Sequence, residues 1–261
     1  STRPVATRSV SRWLLLDALR GLALVWMTVF HFCFDLSYLG LWRQDFYHDP
    51  FWTWQRVGIV TLFLLCVGMS QALVQARPGP ASAVAPWQGA RWWRVAACAA
   101  LVTVASYLAF AQGYIYFGVL HCIAAVSLAL WWMRRWRGPL LLALAALAMA
   151  PPQAYRALAS GLPPALVQAL DGRAGSVLGL ITRLPRTEDY VPLLPWLGVA
   201  MLGLWIGRQL AGRSWLPAAA GHGSGRDGGN GLLRLLAALG RHSLPYYMLH
   251  QLVLMGGLLA L

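Results

Sequence analysis

The chain contains no lysine, and all 21 of its basic residues are arginines. They are scattered between apolar runs rather than gathered in a cluster, so the net charge of +13 does not describe a nucleic-acid-binding surface. Charge itself is scarce. Only 11% of the 261 residues are charged, against roughly a quarter in a domain whose surface faces water. Four cysteines (Cys33, Cys66, Cys98, Cys122) all fall inside apolar runs, and none forms a C-x-x-C pair. They read as small apolar packing residues, not as zinc ligands or a disulfide framework. No Walker loop, dinucleotide fingerprint or nucleophilic-serine motif is present. The glycine-rich stretch 221–231 (GHGSGRDGGNG) has no strand before it and no Lys-Ser/Thr after it, so it reads as a linker. The histidines are too dispersed for a metal site, and there is no convincing internal repeat.

What the chain does have is apolar length. Hydrophobic residues make up 59% of it, mean hydropathy is +0.57, and 14 Trp and 9 Tyr supply material for two headgroup-level aromatic belts. Runs of about 20 apolar residues, enough to cross a bilayer, occur at roughly 13–39, 52–76, 95–112, 116–133, 139–158, 192–210 and 244–261. The expected fold is therefore all-α: a polytopic transmembrane helix bundle of about seven spans, plus short amphipathic interfacial helices at 168–182 and 232–240. Arg91-Trp92-Trp93-Arg94 reads as an interfacial segment ahead of the third span. Pro151-Pro152 interrupts the fifth, because both residues lack a backbone donor. The whole chain, 1–261, reads as one transmembrane domain with a flexible cytoplasmic linker at 221–231.

Arginine counts orient it. The N-terminus, 77–94, 134–137 and 208–241 collect most arginines outside the spans, which makes that side cytoplasmic by the positive-inside rule. The first run, preceded by Arg3, Arg8 and Arg12 and lacking a small-residue cleavage site, reads as a signal anchor. The expected location is a bacterial inner membrane, multi-pass, with the N-terminus in the cytoplasm.

Ionisable groups at membrane depth need a reason to be there. The first span carries four: Asp17, Arg20, His31 and Asp35. At about 100° per residue they fall on one narrow stripe, with His31 about 16 Å beyond Arg20 along the axis and Asp35 one turn from His31. That stripe must face a polar cavity or polar partners rather than lipid. Two readings follow from the residues. In one, the stripe lines a working site in which Asp35 holds the imidazole of His31. In the other, it is an interhelical polar cluster that only orders the bundle, with Arg20 snorkelling to the interface.

The residues also carry a resemblance. Leu16-Asp17-Ala18-Leu19-Arg20-Gly21-Leu22-Ala23 through Phe30-His31 resembles the opening helix of integral-membrane acyltransferases, where an Arg and a His are separated by ten residues. Three segments are similar to bacterial relatives of heparan-alpha-glucosaminide N-acetyltransferase: 62–70 (LFLLCVGMS), 116–124 (YFGVLHCIA) and 189–198 (DYVPLLPWLG). The tail 239–251 (LGRHSLPYYMLHQ) is similar to them as well. The resemblance spans roughly 9–255. It implies transfer of an acetyl group from cytoplasmic acetyl-CoA to a glycan or amino-sugar acceptor at the opposite face, with membrane lipid as surroundings, no metal, no nucleic-acid partner and homo-oligomerisation left open. It also implies a catalytic histidine near the non-cytoplasmic end of the first span. In the lysosomal branch the position of His31 resembles an Asn, and the catalytic His lies in the following loop, near His48. The resemblance therefore names His31 first and His48 second, with Asp35 orienting.

Around them, Arg20, Arg208 and Arg241 are the candidates for binding CoA phosphates, and His121, Asp189 and Trp196 for binding the acceptor. Each also has a plainer reading: packing for His121, a solvated loop acid for Asp189, and topology for the arginines. Arg56 reads as an ion-pair partner for Asp35, and His250 as an interhelical hydrogen-bonding group. A transporter or flippase using the same polar stripe is the competing class, and a non-enzymatic membrane assembly subunit is a third.

Overall fold

The computed structural model describes residues 14–76, 89–109, 112–211 and 231–260. Among these residues there are helices, turns and loops but no strand. The long helices are α1 (Leu14–Tyr38), α2 (Pro50–Gln75) and α3 (Gly89–Ala109). Next come α4 (Val119–Trp132), α5 (Gly138–Met149) and α6 (Pro151–Leu158). Two short helices follow, α7 (Pro164–Leu170) and α8 (Arg173–Leu178), and then α9 (Leu193–Ala211), α10 (Gly231–Arg241) and α11 (Ser243–Leu259).

Five segments are long and apolar enough to cross a membrane: α1, α2, α3, the Gly138–Gly161 stretch and α9. The other two expected spans are shorter. α4 has 14 residues and α11 has 17, below the roughly 20 needed to span the hydrocarbon core untilted. The fold is thus all-helical and membrane-embedded, with five full-length spans rather than a demonstrated seven.

Element boundaries follow local chemistry. Pro50 opens α2, where its missing N–H is not needed. Asp49 caps that helix by accepting the Phe51 N–H at 2.8 Å. Pro151-Pro152 ends α5 and begins α6 as a first-turn proline pair, so the expected interruption is a helix restart. The stretch expected to hold one interfacial helix at 168–182 contains two short ones, broken at Gly172, the residue before α8. Arg91-Trp92-Trp93-Arg94 is not a separate segment: it forms the first turns of α3, with the Trp92 indole donating to the Ala124 carbonyl at 2.9 Å. The amphipathic helix expected at 232–240 is α10. Arg3, Arg8, Arg12, His222 and the proposed linker lie outside the described residues, except Gly231, which opens α10.

The chain divides into two compact units, Ser1–Ile59 with Gly212–Leu261, and Val60–Ala211. In the first, α1 packs most extensively on α10 and also on α11. The approach to α10 is backbone to backbone. A Cβ on Gly21 would sit 1.9 Å from the Leu236 carbonyl oxygen, and one on Gly240 would sit 1.8 Å from that of Asp17. In the second unit, Gly68, Gly203 and Gly207 let α2 and α9 touch in the same way. A Cβ on Gly203 would fall 2.4 Å from the Leu65 carbonyl oxygen. Gly203 and Gly207 are four apart on α9, the small-residue spacing by which lipid-embedded helices gain close packing without a hydrophobic driving force. The core residues Leu64, Leu130, Leu141, Met201 and Leu204 are fully enclosed there.

Candidate active site

The polar stripe of α1 is real, and it is answered by α11. Asp35 is completely buried, yet its hydrogen-bond partner is not His31 one turn away. Its Oδ1 accepts from Gln251 Nε2 of α11 at 2.8 Å, while Oδ2 has no partner. His31 faces α11 as well: its ring lies edge-on to that of His250, centroids 5.1 Å apart. No hydrogen bond to either His31 nitrogen exists among the described residues. His250 donates from Nδ1 to the Tyr247 carbonyl at 2.7 Å, so Nε2 carries the lone pair of the neutral ring, and that atom is buried and unpaired. Tyr246 stacks parallel to His250 and donates its hydroxyl to Thr28 Oγ1 at 2.7 Å, Thr28 itself donating to the Leu24 carbonyl at 2.8 Å.

Three buried acceptor atoms on α1 and α11 are thus left without a partner: Asp35 Oδ2, His250 Nε2 and Gln251 Oε1. A buried polar atom without a partner is costly, about 1–3 kcal/mol each. A ligand with donors is a natural complement to such atoms. Sequence reasoning found the α1 half of this cluster by its helical period. It read His250 as an interhelical hydrogen-bonding group, whereas its hydrogen bond runs to a carbonyl of its own helix, and it passed over Gln251. The signal available was the i, i+1 pair His250-Gln251 on an otherwise apolar last helix.

At the other end of the stripe, Arg20 and Asp17 form a 2.6 Å ion pair, largely buried. Arg241, at the exposed end of α10, is brought to that end of α1 because Gly240 packs against Asp17 and Gly21. The backbone segments that carry Arg20 and Arg241 therefore meet at that end of α1. Arg56 is exposed and makes no ion pair with Asp35.

His48 lies in the loop joining α1 to α2. Its side chain is 85% exposed, and it donates from Nδ1 to Asp45 Oδ2 at 3.0 Å. No hydrogen bond or ring contact links it to His31. Asp45 is held well below the usual carboxylate range, chiefly because the His48 backbone N–H donates to it, with the Tyr47 N–H adding to the effect.

In the second unit, two of the proposed acceptor-binding residues, His121 and Asp189, have other partners. Thr103 gives its proton to the Ile115 carbonyl at 2.7 Å, so His121 Nε2 donates to Thr103 Oγ1 at 3.0 Å. The remaining nitrogen, Nδ1, accepts from Gly118 N–H at 3.3 Å. Both ring nitrogens are engaged. Asp189 Oδ2 accepts the Val119 N–H at 2.8 Å, putting a carboxylate on the first turn of α4 where the helix dipole favours it. Gly118 makes room for this: a Cβ there would stand 2.2 Å from Asp189 Oδ2. Trp196 is half-buried in the first turns of α9. Arg208 is committed to closing a helix end, donating to the carbonyls of Trp136 (2.8 Å) and Arg134 (2.7 Å) and to Gln75 Oε1 (3.1 Å). No group of three or more His, Cys, Asp or Glu side chains that could hold a metal occurs among the described residues.

A helix bundle of this apolarity defines a multi-pass membrane protein. The chain belongs to the family described as heparan-alpha-glucosaminide N-acetyltransferase, catalytic, whose model matches residues 12–252. That match makes it a member of a membrane acetyltransferase family, not of a transporter family. No match was found among curated proteins or among solved structures.

Proposed function

We propose that the protein transfers an acetyl group from cytoplasmic acetyl-CoA to an amino sugar or glycan at the opposite face of a bacterial inner membrane, its N-terminus on the cytoplasmic side. The observation that carries this reading is the His31–His250 ring pair, with the buried Asp35 one turn along α1 from His31, in a chain of an acetyltransferase family.

His31 takes the proton from the acceptor amine or hydroxyl, whose freed lone pair then attacks the thioester carbonyl. The C–S bond breaks, the acetyl group stays on the acceptor, and the proton held by the imidazole leaves with the CoA thiolate. His250, its ring edge-on to that of His31 with centroids 5.1 Å apart and its Nε2 unpaired, is the candidate to share that proton. Asp35, fixed by Gln251, favours the transient imidazolium charge. Arg20 and Arg241, gathered at one end of the stripe, suit the CoA phosphates, since guanidinium groups bind phosphate in forked pairs. Arg208, already saturated with carbonyl oxygens, is not needed for that role. His48, exposed beside Asp45, is the second candidate base.

Purified protein in nanodiscs, supplied with acetyl-CoA and a panel of amino sugars, tests the reading. His31→Ala should lower turnover by about 10²–10⁴-fold, the usual contribution of a positioned general base, with CoA binding retained. Unchanged turnover in His31→Ala would move the chemistry to His48, and unchanged turnover in the His31→Ala/His48→Ala double variant would reject both.

A further inference from the structure

The second unit contains a cavity of about 230 Å³ that the chemistry above does not use. The loop before α4, the start of α8 and the loop before α9 form it, and its lining includes Tyr114, Tyr116, Asp171, Arg173, Ser176 and Arg186. Three features decide what it suits.

The first is charge. Asp171 is the acidic residue of the lining, and both its oxygens are taken by Thr182, whose N–H and hydroxyl donate to them at 2.6 Å each. No ion pair joins it to Arg173 or Arg186, so two guanidinium groups border the cavity without a carboxylate partner among the described residues. The second is a rigid aromatic wall. The Arg173 guanidinium lies 5.2 Å from the centroid of the Tyr114 ring, and Tyr114 meets Tyr116 edge-on. Tyr116 donates its hydroxyl to Ser176 Oγ at 2.7 Å, Ser176 donates to the Arg173 carbonyl at 2.8 Å, and Tyr190 donates to the Ser176 carbonyl at 2.6 Å. Burial pushes the Tyr190 phenol well above its ordinary range, so it stays a proton donor in that network. The third is size. The volume is below the roughly 300–1,000 Å³ of sites for drug-sized ligands, which leaves space for one ring with a substituent and none for a nucleotide or a folded peptide segment.

We infer that this cavity binds an acidic sugar: one hexose-sized ring carrying a carboxylate or phosphate, with the anionic group between Arg173 and Arg186 and the ring against Tyr114 and Tyr116. Guanidinium forks match both anions, and aromatic walls cover the C–H face of a sugar while ring hydroxyls meet the polar lining. The inference rests on this unit alone and needs no acetyl transfer, so its failure and the failure of the proposed activity can be told apart.

Titration of the full chain in nanodiscs with glucuronate, glucose 6-phosphate, glucose and inorganic phosphate, read by calorimetry or saturation-transfer NMR, tests it. The two acidic sugars should bind saturably and at least about tenfold more tightly than glucose, the gain expected from hydrogen bonds to a charged group. Arg173→Gln/Arg186→Gln should remove that advantage. Arg186→Gln alone, an exposed residue without a partner, should weaken both acidic sugars at an unchanged Tm. Equal binding of glucose and glucuronate, inorganic phosphate binding as tightly as the sugar phosphate, or acidic-sugar affinity untouched in the double variant would each overturn the assignment.

Discussion

His121 in the Val60–Ala211 unit and the His31–His250 pair in the other unit all lie on apolar helices, yet their surroundings differ in kind. Around His121, Thr103 and the Gly118 N–H occupy both nitrogens, and the neighbouring Asp189 carboxylate caps α4. Around His31, the Asp35, His250 and Gln251 side chains each keep one buried atom without a partner. A polar network closed on itself specifies a fold; one left open at several atoms destabilises the fold locally and is retained where something else completes it. The same residue type thus reads as architecture in one region and as a candidate site in the other.

Substitutions can break or sharpen that contrast. The largest effect is expected at the open cluster. His250→Ala should reduce acetyl transfer by about 10²-fold or more if Nε2 shares the proton, with little change in Tm. A variant that loses Tm but keeps turnover would make His250 a packing group after all. His121→Ala should do the reverse: two part-buried hydrogen bonds lost at about 0.5–1.5 kcal/mol each, a lower Tm, and turnover per folded molecule within a few-fold of the parent. Full loss of turnover with normal stability would place His121 in the reaction.

Asp189→Ala should act in the same direction but more weakly, by about 1 kcal/mol for a lost helix cap, seen as a lower denaturation midpoint; Asp189→Asn should restore part of it, because an amide oxygen still accepts the Val119 N–H. The smallest effect belongs to the α1–α2 loop. The Asp45 carboxyl is depressed in the folded protein, so its contribution to loop order is complete above about pH 4, the unfolded value, and fades as pH falls through the lower folded value. Amide exchange at Tyr47 and His48 should accelerate on that acid limb, and Asp45→Asn should remove the pH dependence.

Much of this was legible in the chain itself, for reasons that differ by residue. The helical period put Asp17, Arg20, His31 and Asp35 on one face, and that face does meet polar partners. Apolar run length located α1, α2, α3 and α9 to within a few residues, apart from the start of α3. It overextended α4, since its flanking Tyr116 continues the apolar run without continuing the helix. What periodicity could not show was the partner of Asp35. His31 is one turn away and Gln251 is 216 positions away, and the choice of Gln251 is made by how α11 lies on α1. The carbonyl cage around Arg208 was hidden for the same reason: backbone acceptors carry no side-chain signature.

The missing side chains at Gly21 and Gly240 have a mechanical consequence. With no compressible layer between α1 and α10, the two helices behave as a single stiff body, and Arg20 cannot shift without carrying Arg241 along. On the proposed reading, donor phosphates gripping one guanidinium would meet the other already placed, and their pull would be delivered along α1 toward the imidazole some three turns away.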